Sequence, residues 1–358
     1  MQSPVRDQLQ LNQANQTERA ALGPAQILPL QPQRSSREAA LAVRAPVALF
    51  VYNRPEHTVR AINALAACDG AAQSDLVIFS DAPKSASAAP AVALVRQVIA
   101  GVGGFKSVRC IQNEENKGAA RSIINGLTMM LREHGRAIVI EDDLICSPHT
   151  LTYLNACLER YADCPNVMSA CAYNFPRRLM RIPSEYEYDA YFTPRFFPWG
   201  WATWERTLGV VDWAVSDFHR FMSTASEVQA LRDIGDDLLD LLVRQQAGEF
   251  DDWVLPYSFS QFRHHYLSVC PVRSLVDNIG HDGSGLHCHD TRLFQNAVSD
   301  VAPVLRLPET IFADQRLLRA SQIASSNAIV RRAYRRAMDS ALKVRELLAA
   351  RYPPSRGQ

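Results

Sequence analysis

Several things are missing from this chain. Its eight cysteines, at 68, 110, 146, 157, 164, 171, 270 and 288, include no CxxC pair. That sets aside a zinc ribbon and a dithiol redox motif and leaves them to be read as buried thiols. No apolar run reaches the roughly 18–20 residues that a membrane helix needs. The best N-terminal candidate, residues 20–30, is broken by Gly23 and Pro24. There is no surplus of charge, with 38 basic residues against 37 acidic, which argues against a globally basic nucleic-acid binder. Walker loops and GxSxG elbows are absent, so P-loop kinases and serine hydrolases are poor readings. Gly101-Val102-Gly103-Gly104 precedes a strand instead of following one and reads as a turn. The expectation is a soluble protein of a reducing compartment, cytoplasmic.

What is present is ordinary in bulk and informative in order. The chain has 358 residues, 47% hydrophobic and 21% charged, enough for one large domain with appendages or two modest ones. Residues 1–44 are rich in Gln, Asn, Ser and Arg without apolar period and are expected to be a disordered tail. From Pro46 the texture changes. Short apolar runs at 47–52, 76–79, 107–112 and 137–140 alternate with helical spacing, as in Val59, Ile62, Leu65 or Ile123, Leu127, Met130, Leu131. Pro55 suits a first helical turn. Four strands alternating with three helices predict an α/β fold with a mainly parallel sheet covered on both faces. Beyond Pro148 a helix to Tyr161, a strand at 167–171, an aromatic stretch at 186–204, a helix around 231–245, a helix from Asp252 and a strand at 266–270 are expected to shape a pocket.

Ligands of open α/β sheets gather at the carboxyl ends of strands. Those ends are Asn53-Arg54, Ser80-Asp81, residues 113–116 and Glu141-Asp142-Asp143. Three consecutive carboxylates repel one another and require neutralisation. A hard divalent cation, Mg²⁺ or Mn²⁺, held by one or two carboxylates and substrate phosphates would supply it. The plainer reading is an acidic helix start.

The order Asn53-Arg54-Pro55, Ser80-Asp81, Asn116-Lys117-Gly118, Glu141-Asp142-Asp143, then Trp199-Gly200-Trp201 and Asp251-Asp252-Trp253, resembles a GT-A glycosyltransferase of bacterial family-2-like type. It is also similar to the catalytic domain of the N-acetylglucosaminyltransferase I group, in which an EDD triplet replaces the usual DxD. The resemblance spans about residues 46–290. It implies a Rossmann-like GT-A domain over 45–310 and metal-dependent, inverting transfer from a nucleotide-sugar, a UDP-sugar in the first instance. The acceptor it implies is a saccharide or lipid-linked glycan of polysaccharide assembly. By the same resemblance Asp143 binds the metal, Glu141 and Asp142 face the sugar nucleotide, and Asp252 is the base that deprotonates the acceptor hydroxyl. Asp81 corresponds to a base- or ribose-binding acid, and Arg54 sits where the first loop reaches the nucleotide; both could instead be caps. Lys117 and Arg121, at a helix mouth with N–H groups to offer, are diphosphate or uracil candidates, or surface charges. His287, in the polar loop 278–290, resembles a late metal-proximal histidine, or with His289 forms an exposed pair. Gly200 and Trp201 stand where backbone would approach a ligand closely, among eight aromatic residues from Tyr188 to Trp204 of which most read as core.

Two other readings stay open. A sugar-nucleotide pyrophosphorylase shares the metal chemistry but usually carries a Gly-rich basic loop after its first strand, where this chain has Asn53-Arg54-Pro55-Glu56-His57. A non-catalytic sugar- or nucleotide-binding module would not need separate metal and base candidates. Finally, residues 316–351 carry nine basic residues against Asp339 and Glu346, with Val330, Tyr334, Met338, Ala341, Val344 and Leu348 at helical spacing. The segment 311–358 reads as a basic amphipathic helical tail, able to lie on an anionic bilayer at the inner membrane face or to pack on the domain.

Overall fold

The structure, a computed structural model, describes residues 44–282, 292–296, 298 and 305–326. The first half alternates as the periodicity predicts: β1 (Val47–Val51), α1 (Pro55–Ala66), β2 (Asp75–Ser80), α2 (Ala89–Ala100), β3 (Ser107–Gln112), α3 (Gly118–His134) and β4 (Arg136–Glu141). β1 is buried along its whole length, and β2 and β4 are buried throughout their centres, because helices cover both faces. β5 (Leu144–Cys146), α4 (Thr150–Arg160), β6 (Val167–Cys171), β7 (Ala190–Thr193) and β8 (Trp201–Trp204) follow. The chain continues through α5 (Phe218–Met222), α6 (Ala225–Ile234), α7 (Asp236–Gln246), α8 (Val254–Arg263), β9 (Leu267–Pro271), β10 (Val276–Asn278) and α9 (Gln315–Ala324).

Eight strands form one sheet in the order β3-β2-β1-β4-β8-β6-β9-β7, and β5 pairs with β10 in a small antiparallel ribbon. The four strands of the first half are all parallel, with Val47 opposite both Leu76 and Ile138. Beyond β4 the sheet is mixed: β8 runs antiparallel to β4 and β6, β6 parallel to β9, and β7 antiparallel to β9. The aromatic half supplies short strands that turn back along the sheet, so the whole is less parallel than its first half.

Two expectations change in detail. The helix expected around 231–245 is two, α6 and α7, separated at Gly235. They pack with α5 and α8 around their own apolar cluster of Phe221, Leu231, Leu239, Leu242, Phe259 and Phe262. The start of the expected basic tail is α9, capped by Asp314, whose side chain accepts the Arg316 N–H. Leu317 and Ala324 are completely buried, so this part packs on the domain. The remaining apolar positions named for the tail, and residues 1–43, lie outside the described residues. No helix among the described residues is long and apolar enough to cross a membrane.

Candidate active site

β4 carries the acids to the carboxyl edge of the sheet. Glu141 is its last residue, Asp142 and Asp143 make the turn, and β5 leaves at Leu144. Arg54, at the end of the β1 loop just before Pro55 starts α1, lies against both aspartates. Its Nη2 donates to Asp142 Oδ1 at 2.5 Å and to Asp143 Oδ2 at 3.0 Å. Asp142 is also held by the Tyr52 N–H at 3.2 Å. Neutralisation within the protein therefore comes partly from Arg54, which the sequence reading had placed toward the nucleotide.

One guanidinium does not balance the cluster. Glu141, Asp142, Asp143 and nearby Asp252 bring four carboxyl groups to one guanidinium, and a raised proton affinity relieves part of that excess. Burial, then Asp143 and Asp142, push Glu141 well above the usual glutamate range, with Asp252 adding to the effect. Burial raises Asp142 as well, against the pull of Arg54. For Arg54 burial opposes the charge, but Asp142 and Asp143 outweigh it and raise its pKa.

The polar loop after β10 closes over this cluster. Asn278 pairs with Leu144, the Ile279 N–H donates to the Asp143 carbonyl at 2.9 Å, and the Gly280 N–H to Asn278 Oδ1 at 2.8 Å. A Cβ on Gly280 would lie 2.2 Å from Asp143 Oδ2 and 3.1 Å from Arg54 Nη1, so only glycine lets the loop approach. His281 is buried beside Trp199, ring centroids 5.2 Å apart, and His57 meets Asp282 at 3.1 Å. The sequence reading selected His287 from this loop; that residue lies outside the described residues. It passed over Gly280 and His281, whose one signal was membership of the same Gly/His run.

Asp252 lies near enough to Glu141 to help raise its pKa. Its Oδ1 accepts the N–H groups of Val254 and Leu255, so it also holds the first turn of α8. What brings it to the acids is Trp253, which stacks on Trp201 with centroids 5.3 Å and planes 17° apart. Trp201 in turn pairs with Val139 of β4.

The expectation for Gly200 and Trp201 is corrected. Trp201 is 0% exposed and cannot touch a ligand. Gly200 has a φ of 66°, and a Cβ there would meet Val276, Ala172 and Ile140 at 3.1–3.6 Å. The close approach is made by core side chains. The wider aromatic stretch is core too, with Tyr191, Phe192, Phe196, Phe197 and Trp204 buried.

Asp81 is a cap in this fold. It accepts from the N–H groups of Ala82, Lys117 and Gly118 and from the side chains of Asn113 and Asn116, all at 2.9–3.1 Å. The first-turn amides of α3, expected to greet a diphosphate, are thus partly filled by an internal carboxylate. Gly118, at φ 76°, lets the chain double back so that one anion collects them. Lys117 borders a small cavity of about 120 Å³ with Phe79, Asp81, Ile111, Asn113 and Met129. Arg121, in the same helical turn, is exposed.

Whether a divalent ion suits this site can be judged from the donors. Among the described residues no group of three His, Cys, Asp or Glu side chains is arranged to hold a metal by itself. Mg²⁺ and Mn²⁺ do not require one, because they commonly take one or two carboxylates and complete their shell with phosphate and water. Asp143 offers hard oxygen at the strand end, and the carboxyl groups gathered there outnumber the one guanidinium that touches them. The residues fit a metal shared with a diphosphate.

No family model matches the sequence, and no curated protein does. Among solved structures the chain is similar to the mannosyltransferase PcManGT of Pyrobaculum calidifontis in complex with GDP-Man and Mn²⁺. That match has 18% identity over 56% of this chain and 53% of that one, TM-score 0.34. It is similar to S. aureus TarS 1-349 in complex with UDP-GlcNAc, at 13% identity over 46% of each chain, TM-score 0.31. A third is mouse xyloside xylosyltransferase 1, at 14% identity over 62% of this chain and 82% of that one, TM-score 0.31. The match spans about half the length of the first two. Superpositions this partial leave the chemistry to be read from the site's own residues.

Proposed function

We propose that this chain is a GT-A glycosyltransferase that moves a sugar from a nucleotide-sugar to a saccharide or lipid-linked acceptor with inversion. The observation that carries this is the carboxyl cluster at the end of β4, with Arg54 on its two aspartates and Asp252 near enough to act on Glu141. Asp143 would hold Mn²⁺ or Mg²⁺ against the donor diphosphate, and the ion would stabilise charge on the departing nucleotide. Arg54, whose side chain keeps 20% of its surface exposed, would lie toward the donor diphosphate. Glu141 and Asp142 shape the floor, and their high proton affinity keeps the site from being overwhelmed by like charge. Asp252, held by the α8 amides, takes the acceptor's proton as the hydroxyl attacks the anomeric carbon. The pyrophosphorylase reading is weakened because the β1–α1 loop has no glycine.

Calorimetry with UDP and GDP, with and without Mn²⁺, paired with donor-turnover assays, tests the reading. Nucleotide binding should require the metal and be abolished in Asp143→Ala. Asp252→Asn should bind donor normally and turn over roughly 100-fold or more slowly. Equal UDP and GDP affinity with and without Mn²⁺ in wild type and Asp143→Ala would remove the metal site. Unchanged turnover in Asp252→Asn would remove the base.

A further inference from the structure

A second polar cavity, wide open to solvent, has Asp277 of β10 in its wall. It has a volume of about 440 Å³ and is lined by Arg178, Asp277, Arg292, Gln295 and Asn296. Asp277 is directly opposite Ile145, two residues beyond Asp143. At about 3.3 Å per strand residue the cavity wall starts on the order of 10 Å from the acidic cluster. An aromatic wall joins the loop at His281 to the 292–296 segment: Trp199 packs on His281, Tyr173 and Phe294 with centroids 4.4–6.3 Å apart.

The lining brings two guanidinium groups, those of Arg178 and Arg292, to one place. Neither Arg178 nor Arg292 forms an ion pair among the described residues. Arg178 uses one nitrogen, Nη2, to gather the carbonyls of Arg292, Leu293 and Gln295 at 2.6–3.2 Å, which fixes the 292–295 turn and presents its guanidinium to the cavity edge. The Arg292 side chain makes no hydrogen bond within the described fold. The one acid, Asp277, accepts the Asn296 N–H at 2.9 Å, so its carboxylate already serves the fold. Two arginines against one aspartate leave the lining at +1, with two side-chain amides for further hydrogen bonds.

We propose that this cavity is the acceptor subsite and that it selects acceptors carrying an anionic group, a carboxylate or a phosphate. This rests on the glycosyl-transfer reading above for the word acceptor; the anion site stands on its own residues. Guanidinium forks match both anions in geometry as well as charge, and an arginine without an internal partner needs no competing bond broken to bind one. An acceptor with its anion here would extend past the aromatic wall, placing its hydroxyl end toward Asp252 and the β4 acids.

The test is calorimetry on the full chain with glucuronate, glucose 6-phosphate and neutral glucose as probes. A parallel arm uses dihexanoylphosphatidic acid as a soluble lipid phosphate. Wild type should bind the anionic sugars and not glucose. Arg292→Gln, whose side chain supports nothing in the fold, should weaken that binding at least tenfold, and Arg109→Gln on the far edge strand should leave it unchanged. UDP binding with Mn²⁺ should be the same in wild type and Arg292→Gln. A lipid phosphate bound tenfold tighter than glucose 6-phosphate, and lost in Arg292→Gln, would assign the anion to a lipid-linked acceptor; comparable binding would assign it to a soluble sugar. Absent binding of every anion, equal binding of glucose, or undiminished affinity in Arg292→Gln overturns the subsite. If anions bind through Arg292 while UDP and GDP fail to bind with Mn²⁺, the cavity stands and the glycosyl-transfer reading falls.

Discussion

Gly126 lies inside α3 where alanine would ordinarily be the better residue. Replacing a mid-helix glycine with alanine gains roughly 0.5–1 kcal/mol in backbone terms. Here a Cβ would come 2.6 Å from Phe50 and 3.1 Å from Phe79, two rings stacked at 4.8 Å over the sheet. Overpacking a tight site costs about 1–3 kcal/mol, so the steric loss wins. Gly126→Ala should lose about 1 kcal/mol, seen as a lower urea midpoint with unchanged slope; a raised midpoint would show that the rings yield freely. Asp277 tests a different balance. Burial raises its pKa, so over the interval from the usual aspartate range up to the raised value the folded chain holds the proton more tightly than the unfolded one. In that interval stability falls as pH rises. Asp277→Asn keeps an acceptor for Asn296 and should flatten that part of the Tm-against-pH curve; a parallel curve would show the carboxyl is not strained by burial.

The link between α6 and α7 shows what a single element boundary controls. Gly235 has φ 176°, extended backbone open to any residue, so the reason for glycine is space. A Cβ there would lie 2.1 Å from Arg195 Nη1 and 2.6 Å from Asp237 Oδ1. Those two side chains form a fork-to-fork pair at 2.6 and 2.9 Å, and Arg195 also lies 5.6 Å from the Phe197 ring centre. The pair ties α7 to the aromatic segment. Because it is only partly buried, separating it should cost about 2 kcal/mol, below the 3–5 of a fully buried pair. Gly235→Ala and Asp237→Ala should each lose that much, and the double variant little more, since both remove one interaction. Additive losses in denaturant titrations would mean that they act separately.

For the molecule as a whole, α9 decides where the domain ends. The resemblance put the boundary near residue 310, yet Leu317 is completely buried and Ile311 nearly so. Burying a leucine contributes about 1.5–3 kcal/mol. A chain ending at Ala313 should therefore melt on the order of 5 °C lower, whereas an unchanged Tm would return α9 to the tail. This separates folding from membrane attachment. A chain ending at Ser326 keeps α9, so comparing its sedimentation on anionic vesicles with that of the full chain tests the amphipathic tail alone. Salt-sensitive binding only by the full chain supports a peripheral role, and no pelleting of either dismisses it.

Periodicity was enough to reveal the alternation of β1 through β4 with their helices, because a strand buried on both faces must be apolar throughout and an amphipathic helix must repeat near every third or fourth residue. It also placed Glu141, Asp142 and Asp143 at a strand end, where backbone direction alone puts them at the ligand edge. What it could not reveal was which charges meet. Arg54 lies 88 positions before Asp142, and only the parallel pairing of β1 with β4 sets the two loops side by side. The resemblance made Asp81 a nucleotide-binding acid or a cap; folding surrounds it with five donors, the Ala82 N–H and four from residues 113–118. Trp201 stood, with Gly200, where backbone was expected to approach a ligand, and its complete burial was decided by Trp253, Tyr257 and Phe196 packing against it. Local order is written in spacing, but charge pairing and burial are sums over distant neighbours, and those exist only once the sheet is assembled.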